Sequence, residues 1–188
     1  MDALVPAFVA ALFAQLGDRS AWLAAILADR CGRPWKVAIA ALIAHAAGNS
    51  LAATGGALIA PVMTPNARQL LLALALVFAG AGALWRLRAP DRLEGWRLGM
   101  GATAFLGIFI LALGDTTQFL TLAFAARGPS PWLAATGATL AAFLVSLAAA
   151  LMGEQDWRKL PLRWVRIAFG LISLLAGAIL AAGALRLI

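Results

Sequence analysis

Cysteine and histidine occur once each in the 188 residues, acidic side chains number eight, and charged residues of either sign make up only 12% of the chain. The lone cysteine, Cys31, falls in a basic loop without a partner, so neither a disulfide nor a thiolate metal site can be read from it. One histidine, one cysteine and no paired acid and base outside a repeated motif leave no enzyme constellation to assemble, so the chain is not expected to be an enzyme. The strict apolar/polar alternation of a β-barrel is missing too. Asp2 is the only charged side chain before the first apolar run. The basic start of a cleavable signal peptide is therefore absent, and that run is expected to remain as a transmembrane helix.

What is present in excess is apolar surface. Hydrophobic residues make up 63% of the chain and the mean hydropathy is +0.91, which excludes an ordinary soluble domain and indicates an integral membrane protein. The formal charge of +7 does not imply nucleic acid, because the basic residues sit in short loops between apolar runs. A bilayer core of about 30 Å needs roughly 20 apolar residues per helix. Six such spans can be drawn, at about 4–28, 36–60, 67–86, 99–125, 132–152 and 165–186, with Gly and Pro punctuating the intervals. The expected fold is an all-α membrane protein forming one membrane domain over residues 1–188.

One stretch organises the chain. Gln15-Leu16-Gly17-Asp18-Arg19-Ser20 interrupts the first apolar run, and 97 positions later Ala112-Leu113-Gly114-Asp115-Thr116-Thr117 interrupts the fourth. The same offset aligns Phe8 with Phe105, Arg30 with Arg127, Pro34-Trp35 with Pro131-Trp132, Gly56 with Gly153, and Ala79-Gly80 with Ala176-Gly177. Each half holds three spans, an odd number, so the second half must begin from the opposite side of the membrane. The expectation is an inverted repeat, with repeat one at about 1–88, a charged connector at about 86–97 and repeat two at about 98–188.

Lys and Arg set the orientation. Loops after the first, third and fifth spans carry eleven of them and the opposite side three, Arg68, Arg127 and Arg186. The odd loops are therefore expected in the cytoplasm and both termini outside it, in what reads as a bacterial inner membrane. Trp35, Trp85, Trp96, Trp164 and Trp132 fall at span ends, as an aromatic belt would place them.

Of the acidic residues only Asp18 and Asp115 lie far from a span end. An aspartate at that depth costs roughly 2.5–3.5 kcal/mol on insertion scales, which makes it a functional-site hypothesis by default. If the repeat brings the two motifs together near the midplane, their carboxylates and the neutral oxygens of Gln15, Ser20, Thr116, Thr117 and Gln118 form a hard-cation site, a donor set that suits Mn, Ca and Mg. Gly17 and Gly114 would break the helices and let backbone carbonyls approach. The bland alternative pairs Asp18 with Arg19 and gives Asp115 hydroxyl donors. In the second span His45 and Asn49 are four apart and share a helix face, and Ser50 and Thr54 continue a partly polar strip; the choice is between helix packing and a part in proton or ion passage.

Leu-Gly-Asp-Arg-Ser and Leu-Gly-Asp-Thr-Thr-Gln resemble the paired Glu-x-Gly-Asp-(Lys/Arg)-(Ser/Thr) signatures of the Gdt-type cation/proton exchangers, a family of the lysine-exporter-like superfamily. The resemblance covers nearly the whole chain. It implies six helices in two inverted halves and secondary transport of a divalent cation, Mn2+ or Ca2+, with proton exchange. Its partners would be the lipid bilayer, the transported ion and protons, with no tightly bound cofactor and no nucleic acid; a homo-oligomer is compatible with it. The match departs at the family glutamate, which is Gln15 in the first copy and Ala112 in the second, and at the basic position of the second copy, Thr116. Carried over are Asp18, Asp115, Ser20, Thr117 and Arg19. If Arg19 points into the site the two motifs together carry about minus one; if it swings along its helix, both carboxylates are free to exchange ion for proton. The second arrangement is the one expected of an exchanger. Two other classes compete: a carrier of a small organic solute, with Arg19 facing its carboxylate, and a non-transporting structural partner.

Overall fold

The computed structural model describes residues 3–186; Asp2 lies outside them. Eight α-helices and no strand occur among the described residues: α1 Leu4–Gln15, α2 Arg19–Cys31, α3 Pro34–Ile59, α4 Pro65–Leu84, α5 Met100–Ala112, α6 Thr116–Arg127, α7 Pro131–Lys159 and α8 Leu162–Ala184. A short 3-10 turn, Ala60–Val62, extends α3. Proline at the first helical position opens α3, α4 and α7, where its fixed φ suits a helix start and its missing N–H is no loss. Thr64 caps α4 through its side chain, accepting from the Ala67 N–H.

Two of the expected spans are not continuous. The first is divided at Leu16–Asp18 into α1 and α2, and the fourth at Leu113–Asp115 into α5 and α6, which bend by 66°. Glycine in the left-handed region, Gly17 at φ 81° and Gly114 at φ 72°, turns the chain at each break. Four helices, α3, α4, α7 and α8, are long and apolar enough to cross a membrane; the bent pair α5–α6 makes a fifth if it is one broken span. α1 is apolar but short, and α2 follows Asp18 and carries Arg19, Asp29 and Arg30, so that pair does not reach the same standard. The fifth expected span, ending near 152, runs on to Lys159. Its helix is interrupted at Gly153, where φ is 75°, and resumes because Asp29 of α2 accepts the Glu154 N–H at 2.7 Å.

The interior is built from small side chains. Ala24, Ala41, Ala44, Ala104, Leu27 and Ile108 are buried where α2, α3 and α5 meet, and Ala75, Ala79, Leu120, Ala123 and Phe169 where α4, α6 and α8 meet. Large apolar residues such as Ile39, Leu58, Phe78, Leu144 and Ile172 are instead exposed on the outer surface. That inside-out distribution fits a chain whose outer solvent is lipid, where close helix approach rather than size drives packing. Trp35, Trp85, Trp132 and Trp164 are exposed at helix ends, while Trp96 packs inward against the core.

α7 packs against α1, α2 and α3, α3 also packs against α5 and α6, and α4 against α8. The starts of α6, α7 and α8 fall 97 positions after those of α2, α3 and α4. The connector between α4 and α5 is pinned: the Arg30 guanidinium donates to the Arg92 carbonyl at 3.0 Å, and Arg92 pairs with Glu154 at 2.7 Å. The consequence for function is that the first break, at Gly17, is buried against α8, whereas the second leaves Leu113 and Gly114 exposed and turns only Asp115 and the start of α6 inward.

Candidate functional site

The two breaks fold alike. In the first, the Leu16 N–H donates to Leu12 O at 3.1 Å and the Asp18 N–H to Gln15 O at 3.0 Å; in the second, Leu113 donates to Phe109 O at 2.9 Å and Asp115 to Ala112 O at 3.1 Å. Each aspartate is the N-cap of the helix that follows, an arrangement that satisfies an orphan N–H and sets a carboxylate at the positive end of a helix. Asp18 accepts from the Ser20 N–H at 3.0 Å and the Ser20 hydroxyl at 2.7 Å, both at Oδ2. Asp115 accepts from the Gln118 N–H at 2.8 Å at Oδ1. One oxygen of each carboxylate, Asp18 Oδ1 and Asp115 Oδ2, is thus left over from capping.

Gln15 joins the breaks. Its Oε1 lies 3.0 Å from the Ser20 hydroxyl and shares that group's one proton with Asp18, and its Nε2 donates to Thr117 Oγ1 at 3.0 Å and, at the longer distance of 3.3 Å, to Asp115 Oδ2. The chain Asp18–Ser20–Gln15–Asp115 therefore runs through neutral groups from one carboxylate to the other. Both carboxylates, with Thr116 and Thr117, line a cavity of about 50 Å³ that Phe13, Ala79, Ala83 and Phe169 complete from the apolar side. That volume holds a few waters or an ion with part of its hydration shell.

The remaining expected residues surround the cavity without lining it. Gln15 and Ser20 are buried in the bridge between the breaks, and Gln118 is buried with its Oε1 accepting from the Gly114 N–H at 3.0 Å. The Gln118 Nε2, unpartnered among the described residues, lies against Gly48, where a side chain would collide with it. Arg19 is exposed and does not line the cavity. His45 meets Ser146 Oγ at 3.5 Å, and Asn49 donates to Thr139 Oγ1 at 3.1 Å. Thr121 joins this group to the motif: its hydroxyl donates to Thr117 O at 2.8 Å and reaches Asn49 Oδ1 at 3.5 Å. A polar track thus leaves the cavity along α6, α3 and α7. Among the described residues no cluster of three or more His, Cys, Asp or Glu side chains is poised to hold a metal, so any cation here would rest on two carboxylates plus neutral oxygens.

Arg166 is the residue that sequence reasoning missed. Counted there with the loop after the fifth span, it lies one turn into α8 and lines the same cavity as Asp18 and Asp115. Its guanidinium donates to Gly82 O at 3.2 Å and Trp85 O at 3.1 Å at the end of α4. The repeat held the signal: 97 positions earlier stands Gln69, a polar residue inside α4, whose amide donates to Leu180 O of α8 at 3.1 Å.

Residues 3–91 and 101–187 match a family described as "Divalent cation/proton antiporter GDT1". Over 184 residues the chain is 29% identical to a protein of Vibrio cholerae serotype O1 (strain ATCC 39541 / Classical Ogawa 395 / O395) named "Putative manganese exporter", an overlap covering 94% of this chain and 89% of that relative. No solved structure matches the chain. A family match over both halves, on a membrane-type helical bundle with two capped helix breaks at one cavity, makes this chain a cation transporter rather than an enzyme, and a member of the GDT1 divalent cation/proton antiporter family.

Proposed function

We propose that the protein moves a divalent cation, manganese or calcium, in exchange for protons, through the cavity between the two Leu-Gly-Asp breaks. The observation that carries this reading is the pair of carboxylates on one cavity, each with one oxygen free of its capping bond. A divalent ion would neutralise both, and protons would replace it when it leaves, so the carrier can return without bare charges in an apolar interior. The hydroxyls of Thr116 and Thr117 add hard oxygen donors of the kind that suit Mn and Ca. A cavity of about 50 Å³ favours an ion over an organic solute. The "manganese exporter" name of the Vibrio cholerae relative supports manganese among the two.

In this reading the halves are inverted three-span repeats, α1–α2 and α5–α6 each count as one broken span, and the cavity opens toward the arginine-rich face, which lies in the cytoplasm with both termini outside. The polar track through Thr121, Asn49 and Thr139 runs from the cavity into the bundle toward α7 and would serve as the second half of the path. The test is uptake of Mn2+ or Ca2+ into liposomes holding the purified protein, with and without a pH gradient. Wild type should accelerate uptake when the gradient is imposed, and Asp115→Asn should abolish it. Uptake that survives both Asp18→Asn and Asp115→Asn would show that the paired breaks are not the ion site.

A further inference from the structure

Arg166 and Asp18 both line the carboxylate cavity and spaces outside it, and Arg166 reaches furthest. It lines the carboxylate cavity and also each of three larger spaces on the arginine-rich face, of about 230, 470 and 300 Å³. It is therefore the wall common to the cavity and its vestibules. Its aliphatic stem crosses the first helix break: a Cβ built on Gly17 would stand 2.8 Å from Arg166 Cδ and 3.3 Å from Cγ. Its head reaches on to the last turn of α4, at Gly82 O and Trp85 O. The side chain is thus a strap from α8, over the hinge glycine, to α4.

The charge it carries is under-used there. Two neutral carbonyls at a helix C-terminus are modest partners for a guanidinium, and no ion pair within 4.0 Å joins Arg166 to Asp18 or Asp115 among the described residues. A cation of the protein itself therefore sits at the mouth of a cavity that holds two carboxylates, close enough to Asp18 to feel its charge but in direct contact with neither. We propose that Arg166 is the gate of this cavity on the arginine-rich face: it must move off the mouth for a divalent cation to pass, and its charge keeps that cation loosely held. The proposal rests on the cation-site reading and adds a residue that sets access and affinity. The small size of glycine at position 17 has a function in this arrangement, because any side chain there would meet the strap.

Arg166→Met keeps much of the stem and removes the charge, and Arg166→Lys keeps the charge on a head that cannot bridge two carbonyls. Uptake of Mn2+ from the arginine-rich face should show KM lowered on the order of ten-fold by Arg166→Met, as expected when a positive charge is removed within several Å of a divalent ion. Arg166→Lys should stay within a few-fold of wild type. A role in packing alone would lower the maximal rate of both variants and leave KM unchanged, and that result would overturn the proposal. The gate is also read without transport. In a Cys31→Ser, Ala79→Cys background, a small cationic thiol reagent added to that face should label the cavity about ten-fold faster with Arg166→Met; an unchanged rate would refute gating. If wild type moves no divalent cation, or Asp115→Asn moves it normally, the ion-site reading fails, and the labelling arm still decides whether Arg166 closes the cavity.

Discussion

At Gln15 a neutral amide stands between two acids, and its chemistry fixes what a charge would do there. The Nε2 donates toward both Asp115 Oδ2 and Thr117 Oγ1, so Gln15 can serve the cavity only as a spacer with its donors turned to the second break. Gln15→Glu removes those donors and sets a carboxylate against Asp115. Without a cation the pair repels, at a cost that burial makes larger than on a surface; with a divalent cation the added charge strengthens the site. The expected outcome is a protein less stable than wild type in chelator and more strongly stabilised by Mn2+, read as a larger rise in Tm with added metal in detergent, since ligand stabilisation grows with the logarithm of concentration over Kd. A variant whose Tm responds to Mn2+ no more than wild type would place the cation elsewhere. The two glycines of the breaks differ at this scale as well. A side chain on Gly114 would meet nothing within 4 Å, whereas one on Gly17 would meet Arg166 and Leu162, so the same left-handed turn carries a packing constraint in one copy only.

Among the elements, α4 and α8 hold the gate's two ends, and their spacing is set by glycine. A Cβ on Gly80 would fall 2.6 Å from Leu174 Cγ and 2.7 Å from Gly170 O; one on Gly177 would fall 2.8 Å from Val77 Cγ2 and 2.9 Å from Ala73 O. The backbones therefore touch, which is the close approach that small residues give helices in membranes. Gly80→Leu must push them apart, an overpacking cost of about 1–3 kcal/mol, and would draw the Gly82 and Trp85 carbonyls away from Arg166. Thermal unfolding in detergent should register a clear fall in Tm for Gly80→Leu and none for Gly101→Leu, where a side chain meets nothing. This scale also explains what the sequence made legible. The breaks could be read because Gly-Asp in an apolar run has a local cause, a left-handed turn followed by an N-cap. The continuation of α7 to Lys159 could not, because the group that restarts it, Asp29, belongs to α2 and lies 125 positions away from Glu154. Arg166 was hidden for the same reason: near the start of an apolar run, a basic residue reads as a loop charge until α4 is seen to end beside it.

For the molecule as a whole, the sign of the mouth is the remaining problem. Arg158, Arg163 and Arg166 line one vestibule, and Arg19, Arg86 and Arg88 line another together with Arg166, so a cation approaching the cavity from this face meets a positive rim. In the proposed orientation the rim follows from the bias of basic residues toward the cytoplasmic side, and it would lower the local concentration of a divalent ion. Anionic lipid headgroups offset such a field, at about 1 kcal/mol for each basic residue near the surface. Salt does the same by screening, with a Debye length of about 10 Å at 0.1 M. In zwitterionic vesicles, then, raising ionic strength should lower the KM for Mn2+ offered to the arginine-rich face and leave the KM from the opposite face nearly unchanged. Vesicles with anionic lipid should begin at the lower KM and respond less to salt. The rim arginines and Arg166 separate by substitution: Arg166→Met removes one charge at the cavity wall, and salt still screens the arginines that remain in the rim. Arg166→Met should shift KM in every lipid, while salt dependence should persist in that variant. A KM equal in both lipids and flat with salt would mean that the ion does not pass the arginine-rich mouth.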